Sequence, residues 1–174
     1  ADERPTPGER ELLAQLAMQR AFEGCEREEV AELAEHAWGE GELLAQGSGD
    51  GITWSLVTGA LLVADEAERC LEVCEAALAD ARERGSPMTF ANASYCRAWP
   101  LFAQGRISAS VADAQAALAA RRDGWSAFHG TATAILIMGL VERGEPAASA
   151  ARVRRLPHER PRRPAPTHPA RRGA

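Results

Sequence analysis

The chain has 174 residues, of which 45% are apolar, 26% charged and only 5% aromatic. This length allows one ordinary domain, and the composition excludes a collagen-like, a disulfide-rich or a wholly disordered chain. Alanine, glutamate and arginine are abundant while β-branched residues are few, which favours helices over a sheet.

The charge is divided unevenly along the chain. Residues 1–151 carry 12 arginines and 24 acids, whereas residues 152–174 carry eight arginines and one acid. An acidic body repels phosphate backbones, so we expect it to make no direct contact with DNA. All 20 basic residues are arginine, a bias typical of GC-rich bacterial genes. The lack of lysine in the sequence excludes a P-loop, a Schiff base and a kinase-type site.

Hydrophobic periodicity predicts helices over most of the chain. Glycines mark several helix ends, and Ser86-Pro87 offers a cap and a first-turn proline. The predicted helices span 11–22, 26–38 with an extension toward 46, 52–64, 65–84, 87–104, 108–122, 125–143 and 146–156. Residues 47–51 (GSGDG) are interpreted as a flexible loop, with an anion-binding turn as the alternative.

The turn inside each helix pair recurs at a nearly constant distance. The turns fall at Gly24, Asp65, Gly105 and Gly144, which are 41, 40 and 39 residues apart. The flanking sequence agrees, since Ala-Ala-Leu at 76–78 repeats at 116–118. A two-helix unit with a period near 40 is typical of an α-solenoid. We therefore predict an all-α fold, an α-solenoid of about four antiparallel helix hairpins, whose open ends favour self-association.

Composition also predicts the domain boundaries. We expect a disordered segment at 1–8, a helical-repeat domain at 9–156 and a disordered, Arg/Pro-rich tail at 157–174. The tail holds five prolines and five arginines and no large apolar residue, so it cannot bury a core. Three interpretations of the tail stay open: an out-of-frame ending of a GC-rich gene, a solvated tail, or a basic arm that contacts nucleic acid or an acidic partner.

Two segments carry a family resemblance. Residues 62–86 (LVADEAERCLEVCEAALADARERGS) and 113–125 (DAQAALAARRDGW) resemble the tetratricopeptide-like helical region of large ATP-binding LuxR-family transcriptional regulators of the MalT type. The resemblance covers roughly residues 9–156. It implies a bacterial segment for sensing or protein interaction, which restrains an ATPase in response to an inducer or partner.

The sequence departs from that family in ways that affect the expected function. It shows neither a Walker A motif nor a helix-turn-helix, so we expect a fragment or truncated product that lacks the ATPase and DNA-binding parts. The alternative is a stand-alone tetratricopeptide-like scaffold that binds a peptide or protein partner. No signal peptide and no membrane-length apolar run is visible in the sequence, which predicts a cytoplasmic protein.

The candidate site residues belong to a binding site rather than to a catalytic one. We predict no enzyme, no cofactor and no metal, because no nucleophile, paired carboxylate or ligand set stands out. Cys70 and Cys74 share a helical face but lack a second ligand pair, so we interpret them as buried and reduced. The expected partner is a protein or a small-molecule effector. Tyr95, Arg97 and Trp99 are our candidate partner-binding residues, because aromatic and arginine side chains dominate interfaces.

Other polar and aromatic residues have ordinary interpretations. His36 and His129 lack metal partners at helical spacing. Most aromatic side chains are predicted to lie in the core. An acidic exterior, or a contact for a basic partner, is predicted at Glu28, Glu29, Glu32 and Glu35.

Overall fold

The computed structural model describes residues 4–46, 53–120 and 128–154, and within these ranges the chain is helical with no strand. The helices are α1 (Pro7–Glu23), α2 (Arg27–Trp38), α3 (Glu42–Gln46), α4 (Thr53–Val63), α5 (Ala67–Arg84), α6 (Pro87–Ala103), α7 (Ile107–Ala119), α8 (His129–Glu142) and α9 (Pro146–Arg154). The all-α prediction is confirmed. The predicted 47–51 loop, Trp125 and the predicted 157–174 tail lie outside the described residues.

Helix α1 begins earlier than the sequence predicted. Its N-cap is Thr6, whose hydroxyl accepts the Glu9 N–H at 3.4 Å while the Glu9 carboxylate accepts the Thr6 N–H at 2.7 Å. The Thr6 hydroxyl also donates to the Glu9 carboxylate at 2.7 Å, and the two hydrogen bonds that the carboxylate accepts from Thr6 lower the pKa of Glu9. Residues 7 and 8 were expected in a disordered segment, but this reciprocal cap makes them helical. The apolar periodicity starts later than the cap and therefore gave the wrong boundary.

The four hairpin turns have the same backbone conformation. The φ angles of Gly24, Asp65, Gly105 and Gly144 are 75°, 61°, 72° and 74°. At Asp65 the N–H donates to Leu62 O at 3.2 Å, and the next N–H donates to Leu61 O at 2.8 Å. The same bond pattern closes the other three turns. The predicted turn positions are thus confirmed. Asp65 was also predicted to open α5, but its left-handed conformation places it before the helix, which starts at Ala67.

Helix α2 does not continue to residue 46. Gly39, Glu40 and Gly41 take φ angles of 53°, 55° and 97°, which break the helix into α2, a 3₁₀ turn and α3. A Cβ on Gly39 would stand 1.9 Å from the Arg10 guanidinium, so the chain can pass there only as glycine. This corner therefore depends on a close contact with α1.

The helices pack mainly on near neighbours in the chain. Within each hairpin α1 contacts α2, α4 contacts α5, α6 contacts α7, and α8 contacts α9. The first helices of successive hairpins also touch, as α1–α4, α4–α6 and α6–α8, and each second helix contacts the next hairpin. These contacts fit stacked hairpins, while the superhelical order of a solenoid stays a prediction.

Side chains repeat together with the turns. Leu78 and Leu118, 40 residues apart, are both buried in the core. Cys70 donates its thiol hydrogen to Thr58 O at 3.3 Å, and Ser110, 40 residues later, donates its hydroxyl to Ala98 O at 2.7 Å. A small residue at this position lets the two helices of a hairpin approach closely and adds the same hydrogen bond in each case.

Candidate functional site

The three predicted partner-binding residues all lie on α6 and are half-buried. Tyr95 and Trp99 are four residues apart and share a helical face, while Arg97 lies between them in sequence and on another side. The structure therefore separates the aromatic pair from the arginine. Partner binding by these three residues stays a prediction.

Arg97 is held by carboxylates of the two neighbouring helices. Its Nε and Nη2 donate to the two oxygens of Asp113 on α7, at 2.7 and 2.8 Å, and its Nη1 donates to Glu75 on α5 at 2.6 Å. The side chains of Arg97 and Asp113 are only 20% and 10% exposed. The hydrogen bonds to Asp113 raise the pKa of Arg97, so its charge is fixed. Arg97 links three helices and has little freedom for a partner.

The repeat shows how unusual this ion pair is. Forty residues before Arg97 and Asp113 the chain has Val57 and Val73, both buried. The second hairpin thus has two buried valines at the positions where the third hairpin has a bidentate ion pair. Aligning the repeats was the sequence signal that could have identified Arg97 as an interior residue.

Two aromatic residues of α6 pack toward the last hairpin. The rings of Tyr95 and Phe128 stack with centroids 5.1 Å apart and an interplanar angle of 10°. Trp99 packs against the core formed by α6, α7 and α8. All three side chains are partly buried against this core, which supports the prediction that they belong to it.

A cavity of about 520 Å³ opens between α7, α8 and α9. Its apolar floor is formed by Leu118, Leu136 and Leu140, with alanines of α7 and α9 on its sides. Glu145 and Arg152 lie at its edge, and Glu145 is already paired with Arg143 at 2.6 Å. A cavity of this size and lining suits a small, mainly apolar molecule or side chain. Sequence analysis missed it because the lining comes from three separate helices and consists mainly of leucine and alanine.

A second, polar cavity of about 340 Å³ lies beside the corner between α2 and α3. Arg10 is 2% exposed there, donates from Nη1 to His36 O at 2.9 Å, and pairs with Glu42. Its Nε has no hydrogen-bond partner. The buried guanidinium binds residues on both sides of the corner, His36 on α2 and Glu42 on α3. It therefore stabilises the left-handed backbone conformation of residues 39–41.

The cysteines behave as buried structural residues. Cys70, Cys74 and Cys96 are buried and Cys25 is half-buried, all with free thiols. Burial raises the pKa of Cys96 to about 12, and a hydrogen bond with Cys70 together with burial raises the pKa of Cys74. The Cys74 and Cys96 thiols therefore stay protonated at neutral pH and are poor nucleophiles. Among the described residues no group of three or more His, Cys, Asp or Glu side chains is placed to hold a metal ion.

The acidic residues of α2 lie on the outside, as predicted. All four are exposed, and three pair with arginines: Glu28 with Arg27 at 3.8 Å, Glu29 with Arg20 at 3.4 Å and Glu35 with Arg69 at 2.6 Å. His36 is also exposed, with Nδ1 3.0 Å from Glu32 O. These side chains therefore lie on the surface of the protein, as the sequence predicted.

Comparison with known proteins yields no relative. No family model, no curated protein and no solved structure matches the chain. In the parts of the chain that the structure describes, every helix is too short or too polar to cross a bilayer.

Proposed function

We propose that this chain is a non-catalytic binding module: the sensor or protein-interaction segment of a LuxR-type transcriptional regulator, without its ATPase and DNA-binding parts, acting in the cytoplasm. The observation that carries the proposal is the recurrence of one turn geometry at intervals of 41, 40 and 39 residues. Stacked hairpins of this kind offer extended surfaces for partners rather than a catalytic centre.

The α7–α9 cavity supports a role in recognising an effector. It is formed by the packing of one hairpin on the next, so a molecule bound there would contact both hairpins. Binding between two units couples ligand occupancy to their relative position, which is how an array could report an effector to attached domains. The acidic body makes direct DNA binding by this segment unfavourable.

An apolar fluorescent probe tests the cavity directly. We expect 8-anilinonaphthalene-1-sulfonate to bind the wild-type chain saturably and with increased fluorescence. Ala148→Trp places an indole in the cavity wall and should abolish this signal, whereas Ala147→Trp, one residue away and outside the lining, should preserve it. Equal fluorescence from both variants would show that the probe does not bind in the cavity.

The regulator assignment is tested by the DNA that flanks the coding sequence. Reading frames for an ATP-binding domain upstream, or for a helix-turn-helix downstream, are expected if the segment belongs to a LuxR-type protein. A complete promoter and stop around an isolated gene would instead favour a stand-alone tetratricopeptide-like scaffold that binds a peptide or protein. ATP hydrolysis by the purified chain would contradict both.

A further inference from the structure

The polar side chains at the edge of the α7–α9 cavity leave one charge unbalanced. Gln115 is neutral, and the Glu145 carboxylate already binds Arg143 at 2.6 Å. Arg152 is half-buried at the same edge and pairs with no carboxylate of the described residues. Within the part of the chain that the structure describes, the cavity edge therefore has a net positive charge at Arg152.

Arg152 differs in this respect from the other arginines whose side chains the structure describes. Most of them bind carboxylates, as Arg97 binds Asp113. Arg106 also lacks a carboxylate partner among the described residues, but it is exposed, so water surrounds its charge. Burial beside apolar side chains takes part of that water from Arg152. A charge in such a place is stabilised by an anion that supplies hydrogen-bond acceptors.

The apolar and the charged parts of the cavity lining lie close together. Ala148 and Arg152 are four residues apart on α9, which is about 6 Å along the helix axis. A molecule that reaches Arg152 from inside the cavity therefore also contacts alkyl side chains, those of the α9 alanines and of Leu118, Leu136 and Leu140. The lining thus suits an apolar body with an anion at one end, and a volume of about 520 Å³ is within the range of small-molecule sites.

We infer that the effector is an apolar carboxylate of the fatty-acid type, whose alkyl chain occupies the cavity and whose carboxylate binds Arg152. This inference rests on the proposed effector role of the cavity and adds the chemical class of the effector. One unpaired guanidinium matches a single negative charge, and its planar N–H groups can donate two parallel hydrogen bonds to a carboxylate. Removing the guanidinium should therefore weaken the binding of a carboxylate and not that of a neutral molecule with the same alkyl chain.

Two dyes with the same aromatic rings test the role of the charge. The dye 8-anilinonaphthalene-1-sulfonate is anionic, whereas N-phenyl-1-naphthylamine lacks the sulfonate and is neutral. Arg152→Met keeps an unbranched apolar stem and removes the charge, so it should weaken binding of the anionic dye about tenfold and leave that of the neutral dye within about twofold. Arg106→Met is the matched control, because it removes the same charge from an exposed position and should change neither affinity.

Displacement of the neutral dye tests the effector class. Decanoate should displace N-phenyl-1-naphthylamine from the wild-type chain. Arg152→Met should raise the decanoate concentration needed about tenfold without changing that of decan-1-ol. Arg152→Lys keeps the charge and should restore most of the decanoate affinity, and helix content by circular dichroism confirms that each variant is folded.

Two results would overturn the inference, and they differ in what they leave standing. If Arg152→Met lowers the affinity for the anionic and the neutral ligands alike, or for neither, the carboxylate class is wrong. Binding in the cavity, which Ala148→Trp tests, would then be unaffected. If neither dye binds the wild-type chain, the proposed effector role of the cavity is wrong and the carboxylate class is wrong with it.

Discussion

The ion pair between Arg97 and Asp113 provides a quantitative test of how the hairpins are joined. Arg97→Val leaves the Asp113 carboxylate, which is 10% exposed, without its bidentate partner, and should lower the free energy of unfolding by about 3–5 kcal/mol. Asp113→Val should cost about 3 kcal/mol, at the low end of that range, because Glu75 still neutralises Arg97 at 2.6 Å. Both losses arise from a desolvated charge that has lost its partner.

The double variant Arg97→Val/Asp113→Val should recover most of this loss. It recreates the Val57 and Val73 arrangement of the preceding hairpin, so we expect its stability to lie within about 1 kcal/mol of the wild type. The losses of the two single variants sum to at least about 6 kcal/mol, so the coupling free energy between the two sites should be at least about 5 kcal/mol. Urea denaturation followed by circular dichroism measures all four proteins.

The exposed pair of Asp80 and Arg84 is a matched control. These side chains are 25% and 39% exposed, and Asp80→Val should change stability by less than about 1 kcal/mol. If the losses of the two single variants at 97 and 113 simply added in the double variant, the interpretation of these positions as an interchangeable interior pair would be wrong.

Four further predictions concern the turns, the α2–α3 corner and the thiols. Asp65→Val should lower the free energy of unfolding by about 1–2 kcal/mol because φ is 61° there, whereas Asp65→Gly should not lower it, as thermal melts will show. Gly39→Ala should cost about 1–3 kcal/mol in urea denaturation, because φ is 53° there and the added Cβ would shift the Arg10 guanidinium. A thiol reagent should label Cys25 in the folded chain and all four cysteines after unfolding. The folded pKa of Cys96, about 12, exceeds its ordinary value of 9.0, so its contribution to stability is present below pH 9.0 and should decline as the pH rises toward 12 in a denaturation series.

Much of the fold could be predicted because local signals and the repeat agree. A glycine between two helical patterns directly indicates a left-handed turn. Aspartate indicates such a turn only weakly, so the turn at Asp65 is predicted from its distance to the glycine turns. The leucines of α5 and α7 appear at helical spacing, so their burial follows from periodicity. The start of α1 was wrong because a cap formed by Thr6 and Glu9 precedes the apolar pattern by a full turn.

The candidate sites were harder to predict because their partners are distant in the sequence. Arg97 lies 22 residues from Glu75 and 16 from Asp113, so no local pattern in the sequence indicates that these two carboxylates bind it. Arg10 is buried under a corner whose hydrogen-bonding residues lie 26 and 32 positions away in the sequence. The sequence shows the glycines at 39 and 41, but it does not indicate that the backbone there packs against Arg10. The α7–α9 cavity depends on the angles and distances between three helices, and residue types in the sequence do not indicate these.

Because the helices pack mainly on their neighbours along the chain, this packing also determines where the protein unfolds locally. Each helix takes its support from segments close to it in the chain, so resistance to opening is shared along the array and is lowest in α9, which packs mainly on α8. Amides of α9 should consequently exchange with deuterium before those of α4, α5 and α6. The same locality shortens the loops that must close during folding, which places the chain among rapidly folding helical proteins.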